Sequence, residues 1–388
     1  MIKNEFRAGF RALAILFLCL LFLPEVFASG TVDPSSADYT GRTGKKIYVS
    51  KLGNNSNGSS WEKAFQTIQA ALSAIPDDRG GHVIVIRPDT YSEANLSTAF
   101  KGAKGAYNLI IGDADGKLGS GATGRILIDS GDPQKGFKSY DWWGTIRSTT
   151  KGWRPEFTEQ TFSSICWDRW ILRNLYTSGG DAGFFWDLTD KSGEGFTIIL
   201  EDCVGIGRAF GGGICYPVVR PDEPSVFRRC YFMALDWIGD TGAVLVGGWE
   251  KTMPEFPHLI LEDCTLVHPD NALAMSFASN CVNVRATRCR MIVLNFTQPE
   301  MGGKSTGIIC TQGHKLTGKM HVDLEDCMLA GYSVFTPGED GKAVSYTTKG
   351  KVQAYVQFSQ AIPDGFERIN LWPAELFDYM AIPKTPKE

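Results

Sequence analysis

The sequence carries no excess of basic charge: 39 lysines and arginines stand against 43 aspartates and glutamates. That balance gives no footprint for nucleic acid, and no basic tract marks a membrane-surface patch. Long amphipathic helical stretches are few, and no linker separates two domains. The cysteines lack the tight spacing of a disulfide mini-scaffold or a zinc site. Gly211-Gly212-Gly213 does not follow the spacing of a nucleotide loop, so it is assigned to tight coil packing. Asp113-Ala114-Asp115-Gly116 has the look of a calcium turn but lacks the later ligands of an EF-hand loop.

What is present begins with a leader. Lys3, Arg7 and Arg11 form a basic region, Ala12 to Leu23 an apolar one, and Val26-Phe27-Ala28 a small-residue cleavage site. This is the order of a secretory signal peptide, and the apolar run is too short for a comfortable membrane span. The expectation is a signal over residues 1–28 and a secreted, periplasmic or extracellular mature chain over 29–388, soluble once the signal is removed. The 43 glycines favour strands and turns over helices.

One phrase recurs through the middle of the chain. It runs Ile171-Leu172-Arg173-Asn174-Leu175, Ile199-Leu200-Glu201-Asp202-Cys203, Val226-Phe227-Arg228-Arg229-Cys230 and Ile260-Leu261-Glu262-Asp263-Cys264. It returns at Arg285-Ala286-Thr287-Arg288-Cys289 and at Val322-Asp323-Leu324-Glu325-Asp326-Cys327, with gaps of 25 to 38 residues. A drifting period argues for coils of fixed cross-section with variable loops. The cysteines then fall in one interior column, where each acts as a small hydrophobe, although neighbours could still oxidise.

A second phrase lies between copies of the first: Ile165-Cys166-Trp167-Asp168, Phe184-Phe185-Trp186-Asp187, Ile214-Cys215-Tyr216-Pro217 and Leu245-Val246-Gly247-Gly248, then near Phe277, Cys310 and Phe335. Short strands in fixed registers, each stacking on its counterpart one coil away, predict an all-β fold, a single-stranded right-handed parallel β-helix forming one domain. Ser59 and Glu62 read as a capping box opening a helix from about 60 to 75, with Trp61, Phe65, Ile68, Leu72 and Ile75 on one face, positioned to cap the N-terminal end of the solenoid. Strands are expected at 82–87, 108–112, 125–129 and 143–147, and 352–358 with 371–382 is expected to close the far end.

Tyr48-Val49-Ser50, the capping helix, the run from Gly81 to Tyr91 and the recurring Leu-Glu-Asp-Cys phrases resemble the pectin lyase-like superfamily. The resemblance spans most of the mature chain but is architectural, and motifs of polygalacturonases and classical pectate lyases are absent. It implies a carbohydrate-active enzyme, a glycoside hydrolase or polysaccharide lyase, with a polysaccharide partner. In that superfamily the sugar cleft runs along the first strand of each coil, here the strand of the second phrase, walled by long loops.

Candidate site residues follow from that placement. Trp167, Trp186 and Tyr216 share a register and, if that parity points outward, offer faces for sugar rings; if it points inward they form an internal ladder. Asp168 and Asp187 share the next register and would lie about 5 Å apart on adjacent coils. That separation suits a retaining glycosidase, one carboxyl raised and acting as acid beside the other; the alternative is an aspartate that caps a turn or binds calcium. Asp236 and Asp240 flank Trp237 in one loop and form a second possible pair. His268 with Asp270, and His314 with Lys315, offer a general base or acid. Trp249 adds aromatic surface. A lyase would need a cation to neutralise a uronate carboxylate, for which Arg208, Arg220, Lys251, Lys304 and Lys315 are available, with Ca²⁺ as a possible cofactor held by aspartates. The carboxylate pair favours hydrolysis, with β-elimination or a non-catalytic glycan-binding or structural solenoid as alternatives.

Overall fold

Runs of three to six apolar and β-branched residues, broken by one or two turn residues, are too short and too closely spaced to pair with their neighbours in sequence. They pair instead with the copy one coil away. The computed structural model describes residues 42–130, 164–180, 182–188, 194–235, 242–275, 280–296, 300–301, 304–305, 307–311, 318–335, 344–357 and 360–383. These belong to one compact unit, Pro34–Glu388.

Three parallel sheets form the faces of a parallel β-helix. One coil runs through Ile198–Glu201 on face A, Val204–Gly207 on face B and Phe210–Cys215 on face C, then returns to face A at Ser225–Arg228. Among the described residues faces A and B each hold ten strands and face C holds five. No helix of the described residues is long and apolar enough to cross a membrane.

Face A carries the recurring phrase residue for residue. Leu172 pairs with Leu200, Leu200 with Phe227, Phe227 with Leu261, Leu261 with Ala286 and Ala286 with Leu324. All six side chains point into the core. Two residues after that inward one, each copy turns the corner from face A to face B with a left-handed backbone: φ is 58° at Asn174, 53° at Asp202, 52° at Arg229, 54° at Asp263, 52° at Arg288 and 52° at Asp326. Asn and Asp tolerate that region through their short polar side chains, whereas Arg adopts it only where the fold imposes it. Here the two chemistries pair across rungs, Arg229 Nε donating to Asp202 at 2.8 Å and Arg288 Nε to Asp263 at 2.7 Å.

Behind each turn comes the buried column of Cys203, Cys230, Cys264, Cys289 and Cys327. The thiol of Cys264 donates to the Phe227 carbonyl one rung back at 3.2 Å, and that of Cys327 to the Ala286 carbonyl at 3.3 Å. Burial pushes the thiols of Cys230, Cys264 and Cys289 well above their ordinary range, so each stays a neutral thiol. The column cysteines Cys203, Cys230, Cys264, Cys289 and Cys327 are all free thiols.

The N-terminal helix is shorter than its sequence pattern. It spans Ile68–Ser73 (α1), and its first turn is held by Thr67, whose Oγ1 accepts from the Ala70 N–H at 3.2 Å. The Glu93 carboxylate also accepts from the N–H groups of Ile68 at 2.7 Å and Gln69 at 2.9 Å. Ser59 and Glu62 therefore do not open it. Phe65 is instead drawn along the free edge of Lys46–Val49, accepting from Ser50 N–H at 2.8 Å and donating to the Tyr48 carbonyl at 3.0 Å. Pairing an exposed strand edge competes with helix formation for the same backbone groups, and here it wins.

Near the C-terminus, Gln353–Val356 adds a rung to face B. A second helix, Pro373–Met380 (α2), lies along the outer side of face B rather than across the end of the coil. Its Leu376, Tyr379 and Met380 pack on Tyr231, Val267 and Ile292. The hydroxyl of Tyr176 donates to the Pro383 carbonyl at 2.8 Å and that of Tyr231 to the Met380 carbonyl at 2.7 Å.

Candidate functional site

Face C and the loops that leave it for face A are where the sequence placed a cleft. Its second phrase is correct in kind but shifted in register. Trp186 pairs with Ile214, not Tyr216, and Asp187 pairs with Cys215. Ile214 in turn pairs with Val246, and Val246 with Met275. Trp167 and Asp168 lie outside face C altogether, in and just after the short helical turn Ser164–Trp167.

The aromatic ladder therefore faces inward. Trp167 and Trp186 are fully buried, their ring centroids 6.5 Å apart, and belong to the main core. They cannot stack on a sugar. The outward parity of face C belongs to Phe185, Leu245, Ala274, Cys310 and Cys215, which form a separate apolar cluster, with Phe185 stacked on Phe210 at 4.9 Å. Both sides of these strands are apolar, so alternation could not reveal which side is inside. Tyr216 is half-buried, at φ 63°, and packs against both clusters.

The stacked aspartate pair does not form either. Asp168 is fully buried, and Arg220 donates to it through both terminal nitrogens, Nη1 to Oδ1 at 2.6 Å and Nη2 to Oδ2 at 2.9 Å. The Thr197 N–H donates to the same Oδ1 at 2.9 Å. Its role is to tie three successive loops together. Close by, Arg169 donates to the buried Glu223 at 2.7 Å. The approach of Arg220 requires glycine at 195, since a Cβ there would fall 2.6 Å from Nε. Asp187, at the end of its strand, is buried, and burial of Cys215 together with the Asp187 charge raises the Cys215 thiol.

His268 is fully buried in the turn from face B to face C. Its Nδ1 accepts from the N–H groups of Asp270 at 2.9 Å and Asn271 at 2.8 Å, which explains the ring as a turn-former. Burial raises the carboxyl of Asp270. Arg208 is half-buried at the B-to-C turn two coils earlier. Lys304 lies in the two-residue strand Lys304–Ser305, which pairs with Glu300–Met301. Asp236, Trp237, Asp240, His314 and Lys315 lie outside the described residues.

The loop after the face-C strand Gly242–Val246 gathers more chemistry than its neighbours. Residues 247–258 stand on Asn280 and Asn283. Asn280 Nδ2 donates to the Gly248 carbonyl at 2.9 Å and Asn283 Nδ2 to the Pro254 carbonyl at 3.1 Å. The Cys281 carbonyl lies so close to Gly248 that a Cβ would overlap it at 1.7 Å. Within the loop His258 Nδ1 accepts from the Asn283 N–H at 3.0 Å, which leaves the proton on Nε2 to be donated to Glu250 Oε2 at 2.7 Å. Glu250 Oε1 also accepts from the Val219 N–H at 3.0 Å, tying this loop to the one before it. Burial opposes the charge of Glu250, but the hydrogen bonds from His258 and Val219 outweigh it and hold the carboxyl below the usual glutamate range.

Trp249, 39% exposed, and the exposed Lys251 flank Glu250 in the chain, with Lys251 Nζ donating to Asn280 Oδ1. Sequence reading found Trp249 and Lys251 but missed Glu250 and His258. Their only signal was proximity within one long loop. Among the described residues no group of three or more His, Cys, Asp and Glu side chains converges as metal ligands would, so no calcium site is assigned from them.

No protein-family model and no curated protein matches the chain. Solved structures similar to it include two lyases. Pectate lyase Pel9A is 14% identical over 86% of this chain and 77% of its own, with a TM-score of 0.47. A rhamnogalacturonan lyase is 13% identical over 80% of this chain and 74% of its own, with a TM-score of 0.41. Both are likenesses of fold.

Proposed function

We propose that this chain is a secreted protein that cleaves an acidic polysaccharide, gripping it along the loops between faces C and A and acting by β-elimination. The observation that carries this reading is the 247–258 loop: the exposed residues Trp249 and Lys251 stand two positions apart on a backbone pinned by two asparagines, a glycine contact and a histidine–carboxylate pair. An indole face suits the apolar face of a sugar ring, and Lys251 suits the uronate carboxylate. Neutralising that carboxylate acidifies the adjacent C5 proton, so that a base can take it while the C4–C5 double bond forms, the C4–O glycosidic bond breaks and the departing oxygen picks up a proton. Hydrolysis by Asp168 with Asp187 loses its support, because Asp168 is consumed by Arg220.

The test is incubation with polygalacturonate and with a neutral glucan, following both reducing ends and the ultraviolet absorbance of an unsaturated product. The expected result is absorbance on the uronate polymer alone. Trp249→Ala and Lys251→Ala should each lower kcat/KM about tenfold, roughly 1.4 kcal/mol of transition-state binding. Reducing ends without absorbance would replace elimination by hydrolysis, and silence on every polymer would remove cleavage.

A further inference from the structure

A second site lies away from those loops, where the C-terminal helix α2 crosses the corner between faces A and B. It is a surface groove of about 330 Å³, floored by the turn and face-B residues of successive coils and walled by Asp378 and Tyr379 of the helix. That volume falls at the lower end of the range of small-molecule sites, about 300–1,000 Å³.

Its charges divide into two kinds. Asp202 and Arg229 neutralise each other at 2.8 Å, and Asp263 is held by Arg288 at 2.7 Å. Arg290 and Asp378 are different. The Arg290 guanidinium lies over the ring of Tyr379, 4.7 Å from its centroid, and among the described residues neither Arg290 nor Asp378 has an ion-pair partner. A guanidinium stacked on an aromatic face keeps its N–H edge directed outward in a fork that matches a carboxylate. An unpaired carboxylate on Asp378, the residue before Tyr379 in the helix wall, is an acceptor for hydroxyls. The wall itself is fixed, because the buried phenol of Tyr231, which burial keeps protonated, anchors the end of the helix.

We infer that this groove binds one acidic sugar unit, its carboxylate on Arg290 and its vicinal hydroxyls on Asp378. A uronate carries both groups on one ring, whereas a simple carboxylate satisfies only Arg290 and a neutral sugar only Asp378. The site does not depend on cleavage at the Trp249 loop. It would hold a chain end or a released unit on a separate surface of the same solenoid.

The experiment is a ligand-observed NMR titration of the full chain with sodium galacturonate, and with galactose as the neutral control. Binding of galacturonate is expected to exceed that of galactose, and to weaken about tenfold in both Arg290→Gln and Asp378→Asn. Both positions are exposed, so the variants should keep the parental thermal midpoint. Turnover of polygalacturonate is measured on the same variants and is expected unchanged, which separates failure of this site from failure of the proposed cleavage. Equal binding of galactose, or undiminished binding of galacturonate by Arg290→Gln, would overturn the assignment.

Discussion

Two corners of the same coil follow opposite rules. At the corner from face A to face B six successive coils each spend one left-handed residue and one buried apolar one, from Asn174-Leu175 to Asp326-Cys327. At the corner from face C to face A the connections differ in length and content, and each is held by its own polar contacts: Arg220 on Asp168, Arg169 on Glu223, Glu250 on His258. The first corner is built by repetition, so every coil supplies the same small increment. The second is built by individual buried charges, so its stability is concentrated in a few residues. Loops of that kind, free to vary on a regular scaffold, are where recognition can be placed without disturbing the coil.

The contrast is broken most forcefully at Arg220. Arg220→Met keeps much of the side chain's bulk but leaves the Asp168 carboxylate buried with only one backbone donor and the more distant Arg169, 3.5 Å away. Removing one partner of a buried pair costs about 3–5 kcal/mol. Urea denaturation should show that loss. A change smaller than about 1 kcal/mol, the scale of an exposed pair, would show that the loop corner is not built on concentrated charge.

The same contrast explains what the sequence could reveal. The face-A phrase was legible because its inward residue, turn residue and cysteine recur in one order, so the register of Leu200 on Phe227 and Leu261 follows from alignment alone. The face-C phrase was legible only as a strand. Phe184, Phe185 and Trp186 are all apolar, and no turn of fixed length anchors their register, which is why the parity of Trp167 and Trp186 stays open in the sequence and Asp168 is set beside Asp187. The Asp168–Arg220 pair spans 52 positions through two loops, and no local pattern announces it. Helix α1 failed for a related reason: Phe65 fits a helical stripe, but its backbone completes a strand edge.

The second test lies in the pH dependence at Glu250. Its carboxyl is held below the usual glutamate range, so its contribution to stability is fully present above the unfolded value, about 4.3, and is lost as pH falls through the lower folded value. Glu250→Gln keeps the shape but removes the titration. Its stability should match the parent most closely in acid and fall behind as pH rises toward neutrality, a curve flatter than the parental one by thermal or chemical denaturation. Parallel curves would mean that the Glu250–His258 contact adds nothing to the loop wall.

The smallest effect belongs to the repeated corner. Arg288 carries a left-handed backbone and an ion pair with Asp263, yet its side chain is 54% exposed and that of Asp263 is 40% exposed. Exposed pairs contribute roughly 0.2–1 kcal/mol, less at high salt. Arg288→Ala retains the left-handed strain while deleting the pair, so it should cost no more than that range and approach zero in high salt. The thiol of Cys289 and the strand register behind it do not depend on the charge. A salt-insensitive loss of several kcal/mol would instead place Arg288 among the individually decisive residues, and the distinction between a corner held by repetition and one held by buried charge would fail at the position where it is easiest to measure.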